Sequence, residues 1–199
     1  MKIRTRKAAL SGLALVASAT LLAGCASAPS DSTNTAASDF KPCMVSDSGG
    51  FDDKSFNQLG YEGLQAAATE LGATAVTVES NSDADFKPNL QSLVDQGCDL
   101  IVAVGFALSA ATVESALANP DINYVLIDDA ADNDFNGEKD APNIQPLLFD
   151  TAQAAFLVGY AAAATTQTGI VGTFGGMNFP TVAIFMDGFK QGVDYYNTE

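Results

Sequence analysis

The densest recognition chemistry in this chain lies in one run, residues 47–58, Asp-Ser-Gly-Gly-Phe-Asp-Asp-Lys-Ser-Phe-Asn-Gln. Carboxylates accept hydrogen bonds, side-chain amides donate and accept them, and an aromatic ring offers a flat apolar face. Together these groups suit a ligand that is part flat ring and part polar edge. Gly49-Gly50 permits tight backbone approach, but the run contains neither Gly-x-Gly-x-x-Gly nor Gly-Lys-Ser/Thr, and Asp47, Asp52 and Asp53 would repel a phosphate. Asp52 and Asp53 are expected to shape and solvate the loop. The chain has no histidine, which removes the usual triad base, the commonest zinc ligand and the commonest proton shuttle. Any catalysis would rest on carboxylates alone, and the expectation is a binding protein rather than an enzyme, with no cofactor and no metal.

The elements flanking the run place it at a sheet edge. Residues 43–46 form a short apolar strand, residues 59–71 have helical spacing, and the loop therefore joins the carboxyl end of a strand to a helix, where open α/β sheets bind ligands. The alternation continues with a strand over 73–79, a helix over 85–96, a strand over 99–105, a helix over 107–118 and a strand over 122–128. Continuous apolar runs such as Leu-Ile-Val-Ala-Val-Gly and Tyr-Val-Leu-Ile-Asp predict a parallel sheet covered by helices on both faces, an α/β fold. Residues 130–142 break the pattern with acidic and amide residues, glycine and proline, which suits a crossing between lobes. A second unit is then predicted: a strand over 143–149, an alanine-rich helix over 151–165, a strand over 169–174 and a helix over 182–196. Two strands are too few to cover a parallel sheet, so this unit reads as incomplete. Phe179 and Phe185 could supply the second face of an aromatic sandwich, but Phe185 and Phe189 are assigned to core packing of the last helix.

The first residues carry Lys2, Arg4, Arg6 and Lys7, then a short apolar stretch closed by Leu22-Ala23-Gly24-Cys25. This is a lipoprotein signal peptide over 1–24, with Cys25 as the acylated mature N-terminus and 25–39 as a flexible, small and polar tether. A cleaved signal with a coincidental cysteine is the alternative. The whole chain has a formal charge of −15; loss of the leader leaves five basic residues against 24 acidic ones, net −19. Such a chain is repelled by nucleic acid and by anionic headgroups, so the acyl group must hold it at the membrane, on the extracytoplasmic face. Cys43 and Cys98 remain. They lie near the amino ends of the first and third strands, which are neighbours in the usual doubly wound order, and they either pair as a disulfide or stay as two buried thiols.

The run 47–58 resembles the first-strand signature of the basic membrane protein family of lipoproteins. Further pieces follow in that family's order: Asp-Leu-Ile-Val-Ala-Val-Gly-Phe (99–106), Asn-Tyr-Val-Leu-Ile-Asp (123–128), Ala-Phe-Leu-Val-Gly-Tyr-Ala-Ala (155–162) and Gly-Thr-Phe-Gly-Gly-Met (172–177). The resemblance, from about residue 40 to 199, implies a type 1 periplasmic-binding-protein-like fold. Its two doubly wound lobes would be 40–129 and a partial 143–199, joined by 130–142. It implies a solute-binding protein of an ABC importer that takes a nucleoside, purine before others, and delivers it to permease and ATPase subunits. On this reading Phe56 stacks on the base, a contact of about 1–3 kcal/mol, unless it only packs the helix start behind Ser55. Asn57 would bind the ring edge at two points. Asp128 would accept a ring N–H, unless it caps its turn and Asp129 makes the contact. Asp47 either holds the turn's N–H groups or accepts from the ligand. The family's second stacking aromatic and its ribose-binding acid and lysine match no position up to 199. Two other readings stand beside this one: a ligand-sensing surface lipoprotein without a permease, and a calcium-dependent nucleoside hydrolase built on aspartates.

Overall fold

A computed structural model describes residues 39–199. The leader, Cys25 and all but the last residue of the tether lie outside the described residues.

Five strands form one parallel sheet in the order β2-β1-β3-β4-β5: β1 (Pro42–Val45), β2 (Val76–Val78), β3 (Leu100–Val104), β4 (Asn123–Ile127) and β5 (Ile144–Leu147). The register aligns Val76, Cys43, Ile101, Tyr124 and Ile144 across all five strands. Side chains alternate between faces along a strand, so this row and the one two residues on point to the same layer. There Cys43, Val45, Ile101, Ala103, Tyr124 and Leu126 meet helices α2 (Phe86–Asp95) and α3 (Ser109–Ala118) in the main core. The intervening row puts Met44 and Val102 on the opposite face, under Leu64 of α1 (Phe56–Leu71). Central strands are therefore apolar on both sides, which is why β1 and β3 read as unbroken apolar runs.

Cys43 and Cys98 are joined by a disulfide, with Cα atoms 5.9 Å apart. It ties the start of β1 to the turn that leads into β3, beside the backbone bond in which Asp99 N–H donates to Lys41 O.

Two expectations are overturned by the strand pairing. The strand expected to open a second lobe is β5, which pairs with β4 as the edge of the first sheet. Residues 130–142 are consequently the β4–β5 connection within that sheet, not a crossing between lobes. The connection is compact: Asp132 accepts from Asn136 and Gly137 N–H, Asp140 accepts from Asn133 N–H, Lys139 Nζ donates to the carbonyls of Pro142 and Ile144, and Ala131 and Ala141 are fully buried. The strand expected over 169–174 does not form. No further strand of the described chain lies beside this segment, so its N–H and C=O groups have no ladder to join, and Ile170 and Phe174 stand 80% and 94% exposed.

After β5, helices α4 (Thr151–Thr165) and α5 (Pro180–Thr198) pack on each other. Glycine makes this possible. A Cβ on Gly159 would sit 2.0 Å from Phe189 O, and one on Gly192 would sit 2.0 Å from Phe156 O, so any side chain there would force the helices apart. Phe156 against Tyr195 and Tyr160 against Tyr196 close the seam at ring-centroid distances of 5.7 and 5.2 Å.

The disulfide closes a loop of 55 residues, which in the chain-entropy account limits the unfolded state by about 4 kcal/mol. Replacing both cysteines by alanine is expected to lower the unfolding free energy by about 2–4 kcal/mol, read as a lower urea midpoint with a somewhat steeper slope, because the uncrosslinked unfolded chain exposes more surface. An unchanged midpoint would show that the bridge adds nothing to the buried packing.

Candidate functional site

The site is built where β1, β3 and β4 end. Asp47 follows β1, and its carboxylate reaches back into its own loop: Oδ1 accepts from Gly49 N–H and from Asn57 Nδ2, both at 2.8 Å. The second donor of Asn57 goes to Asp53 Oδ2 at 2.9 Å, and its Oδ1 accepts Asp47 N–H at 3.1 Å. Asn57 is 2% exposed and its amide is spent within the protein. It therefore positions Asp47 and Asp53 and leaves no open donor for the ring edge that the sequence reading assigned to it.

Asp53 starts the helix. Its carboxylate accepts the N–H groups of Ser55, Asn57 and Gln58, a capping role that the N-cap residue Ser55 does not fill, its own side chain making no cap hydrogen bond. Partial burial raises the Asp53 pKa, but the donors of Gln58, Ser55 and Asn57 outweigh it and hold the carboxyl below the ordinary carboxylate value. Phe51, nearby in the loop, turns away to stack on Tyr61 with centroids 4.9 Å apart. Phe56, the first helical residue, faces the edge of the sheet with its ring 5.4 Å from that of Phe149.

Asp128 closes β4 in a left-handed backbone conformation, φ 63°. Its N–H donates to Leu147 O of β5 at 2.8 Å. That turn sends the two neighbouring acids different ways. Asp129 Oδ1 accepts from Ser109 Oγ at 2.7 Å and from Ala131 N–H at 2.8 Å, so Asp129 holds the turn. Asp128 is 8% exposed, and among the described residues its carboxylate has no hydrogen-bond partner. Burial first, then the charge of Asp129, pushes its pKa up to about 6.

These groups share one cleft of about 450 Å³, lined by Asp47, Phe56, Asn57 and Asp128, with Gly105 and Phe106 after β3 forming its floor. Gly105 has φ 89°, and a Cβ there would lie 3.2 Å from Asp47 Oδ2, so glycine keeps the approach to that oxygen clear. Oδ2 takes no hydrogen bond from the described residues. The opposite wall comes from Thr173, Phe174 and Gly175 and from Thr181, Val182 and Phe185 around the start of α5. All four expected site residues, Asp47, Phe56, Asn57 and Asp128, thus fall in one place. The sequence reading missed Gly105 and Phe106, although their position just past a strand's carboxyl end is the signal that finds such residues. It also placed Phe185 in the core, whereas that ring is 41% exposed and lines the cleft. No Lys or Arg lines the cleft. The lining offers aromatic faces and oxygen acceptors, and it can take a flat, uncharged or cationic ring carrying N–H groups.

The carboxylates that could converge on a cation lie elsewhere. Among the described residues, only Asp132, Asp134 and Asp140 bring their oxygens within 4.8 Å of one another, on the β4–β5 connection. Asp132-x-Asp134-x-Asn136-Gly137 has the spacing of the first half of a calcium loop, but Asn143 stands where that loop needs its bidentate glutamate, and Asn143 Nδ2 is committed to carbonyls of Ala116, Asn119 and Ile122.

Residues 21–199 match the family described as ABC transporter substrate-binding protein PnrA-like, and the chain belongs to that family. It is 35% identical over 195 residues to the ABC transporter nucleoside-binding protein BmpA of Lactococcus lactis subsp. cremoris, covering 96% of this chain and 53% of that protein. It is also 35% identical over 151 residues to basic membrane protein A of Borreliella burgdorferi, covering 76% and 43%. Among solved structures, an ABC transporter solute-binding protein from Aeropyrum pernix K1 superposes with a TM-score of 0.65 at 32% identity, over 80% of this chain and 44% of that one. The chain spans about half the length of the curated relatives it matches. The Lactococcus and Aeropyrum relatives are named as nucleoside-binding and solute-binding proteins of ABC transporters. No helix among the described residues is long and apolar enough to cross a membrane.

The raised pKa of Asp128 fixes the sign of a stability test. Its neutral form is favoured in the folded protein, so that advantage is complete below about pH 4 and lost as pH rises through about 6. Asp128→Asn, uncharged throughout, is expected to stabilise the protein at neutral pH by roughly 1–2 kcal/mol, allowing for solvent in the cleft, and to change little near pH 4. Urea midpoints at the two pH values measure this, and an equal effect at both would mean that ionisation of Asp128 costs the fold nothing.

Proposed function

We propose that this chain captures a nucleoside, purine before others, as the binding component of an ABC importer. The observation that carries this reading is the pairing, in one cleft at the sheet's carboxyl edge, of the Phe56 ring with the unpartnered, buried Asp128 carboxylate. A base stacked on the ring would offer its N–H edge to Asp128 and to Asp47 Oδ2. The acidic, lysine-free and arginine-free lining favours a nucleoside over a nucleotide. The Lactococcus relative, named as nucleoside-binding, supports the same class.

The assembly follows from that role. Residues 1–24 direct export, Cys25 carries the lipid, and residues 26–39 tether the sheet at the extracytoplasmic face of the membrane. The first lobe runs through β5, and the segment between β5 and α4 is the place for the hinge, replacing the 130–142 linker. Closure of the wall around Thr173 and Phe185 over the base then presents the loaded form to a permease.

Removing the Phe56 ring removes its stacking, so Phe56→Ala is expected to weaken inosine binding by at least about tenfold while leaving the far-ultraviolet circular dichroism unchanged. Calorimetric affinity that stays at the wild-type value would end the stacking assignment. Cys25→Ser is expected to move the protein from the membrane fraction to the soluble fraction of cells; retention in the membrane would rule out acyl anchoring at Cys25.

A further inference from the structure

We propose that Asp128 selects the ligand through its own proton: ionised, it takes bases that present a ring N–H, and protonated, it takes bases that present a ring-nitrogen lone pair. The inference rests on the nucleoside reading and specifies which nucleosides the cleft admits and under what conditions.

The geometry supplies the reason. Asp128 is 8% exposed as a residue, lines the cleft with its carboxylate, and has no protein donor among the described residues to fix its charge. A buried carboxylate without a partner is costly when ionised, and a ligand that donates to it removes that cost. A ligand with a lone pair facing an ionised carboxylate adds repulsion instead. Protonation reverses both statements, because the carboxyl then donates one hydrogen bond.

The surroundings isolate this group as the one that can switch. From the β1–α1 loop, Asp47 and Asp53 face the cleft, and both carboxylates already accept N–H groups of the protein, which hold the Asp53 carboxyl below the ordinary carboxylate value. Asp129, next in the chain, is tied by Ser109 and Ala131. The lining after β3 and around the start of α5 contributes no titratable side chain. Burial first, and then the charge of Asp129, favours the proton on Asp128, which therefore changes state near pH 6, within reach of mildly acidic surroundings.

Inosine and purine riboside separate the two states cleanly, because they share the ribose and ring system while ring position 1 carries N–H in the first and only a lone pair in the second. Titration calorimetry of the full chain at about pH 7.5 and about pH 5 is the test. The expected result is inosine bound at least about tenfold more tightly than purine riboside at the higher pH, with that ratio falling at least about tenfold at the lower pH. In Asp128→Asn, whose amide offers donor and acceptor at every pH, the ratio is expected to be the same at both. Wild-type binding of both nucleosides with a pH-independent ratio overturns this inference alone, as does a pH-dependent ratio that persists in Asp128→Asn. If neither nucleoside binds at either pH, the nucleoside reading is overturned and this inference with it.

Discussion

The amide of Asn57 sits between two carboxylates that would otherwise face each other at the end of β1. One NH₂ hydrogen bonds to Asp47 and the other to Asp53, while the carbonyl oxygen takes the Asp47 N–H, so a single buried side chain satisfies three groups across the join between strand and helix. An aspartate there would add a third negative charge, and a leucine would take from both carboxylates their shared side-chain donor, leaving Asp47 with Gly49 N–H alone and Asp53 with its helix-start N–H groups. With Asn57 in place, Asp53 is free to cap α1, α1 begins at Phe56, and the ring packs against the Met44 and Leu64 side of the core while still lining the cleft. The same clasp consumes one oxygen of Asp47 and leaves the other toward the cleft. What looks in the sequence like a cluster of independent recognition groups is one braced unit in which some residues hold and others present.

The second wall of acceptors depends on β5. Asp128 adopts a left-handed backbone that an L residue avoids unless its surroundings impose it. The imposition comes from Leu147 O, which accepts Asp128 N–H, and from the Asp129 turn that commits the next carboxylate to Ser109 and Ala131. Pairing of β5 with β4 thus does more than extend the sheet. It turns Asp128 into the cleft and Asp129 away from it, and it leaves an ionisable group buried with no donor. A fold that placed no ligand there would gain by substituting an uncharged side chain, which is why the cost of this carboxylate is informative about use.

The parts of this arrangement that depend on local pattern were legible in the sequence. Unbroken apolar runs over β1, β3 and β4 and the helical spacing between them give a parallel α/β sheet, and the position of residues 47–58 after β1 gives the site, because both follow from periodicity and from which end of a strand a loop occupies. Pairing is a long-range property, and there the pattern is silent. Residues 143–149 and 169–174 both read as strands, yet only the first has a neighbour to bond with, and nothing within either segment says which sheet it joins. The roles of Asn57, Asp53 and Asp128 were hidden for a related reason. An amide or carboxylate has the same chemistry whether it binds a ligand or a backbone, and only the direction of its side chain, set by φ at one residue or by a helix start, separates the two.

The two walls of the cleft are held differently, and this divides their work. Asp47, Phe56, Gly105 and Asp128 are fixed by the sheet, by the Asn57 clasp and by the turn after β4, so their positions require little ordering when a ligand arrives, and preorganised groups set orientation and specificity. Phe174 and Phe185 come from a loop without a ladder and from a helix pair joined mainly through its own glycine seam; Phe174 is almost wholly exposed. Those rings can contribute apolar area on closure, but ordering them costs entropy that the first wall does not incur. On the proposed nucleoside reading, discrimination between bases resides with the oxygen acceptors at the ends of β1 and β4, and the wall from residues 173–185 governs how much of the bound ring is taken out of water.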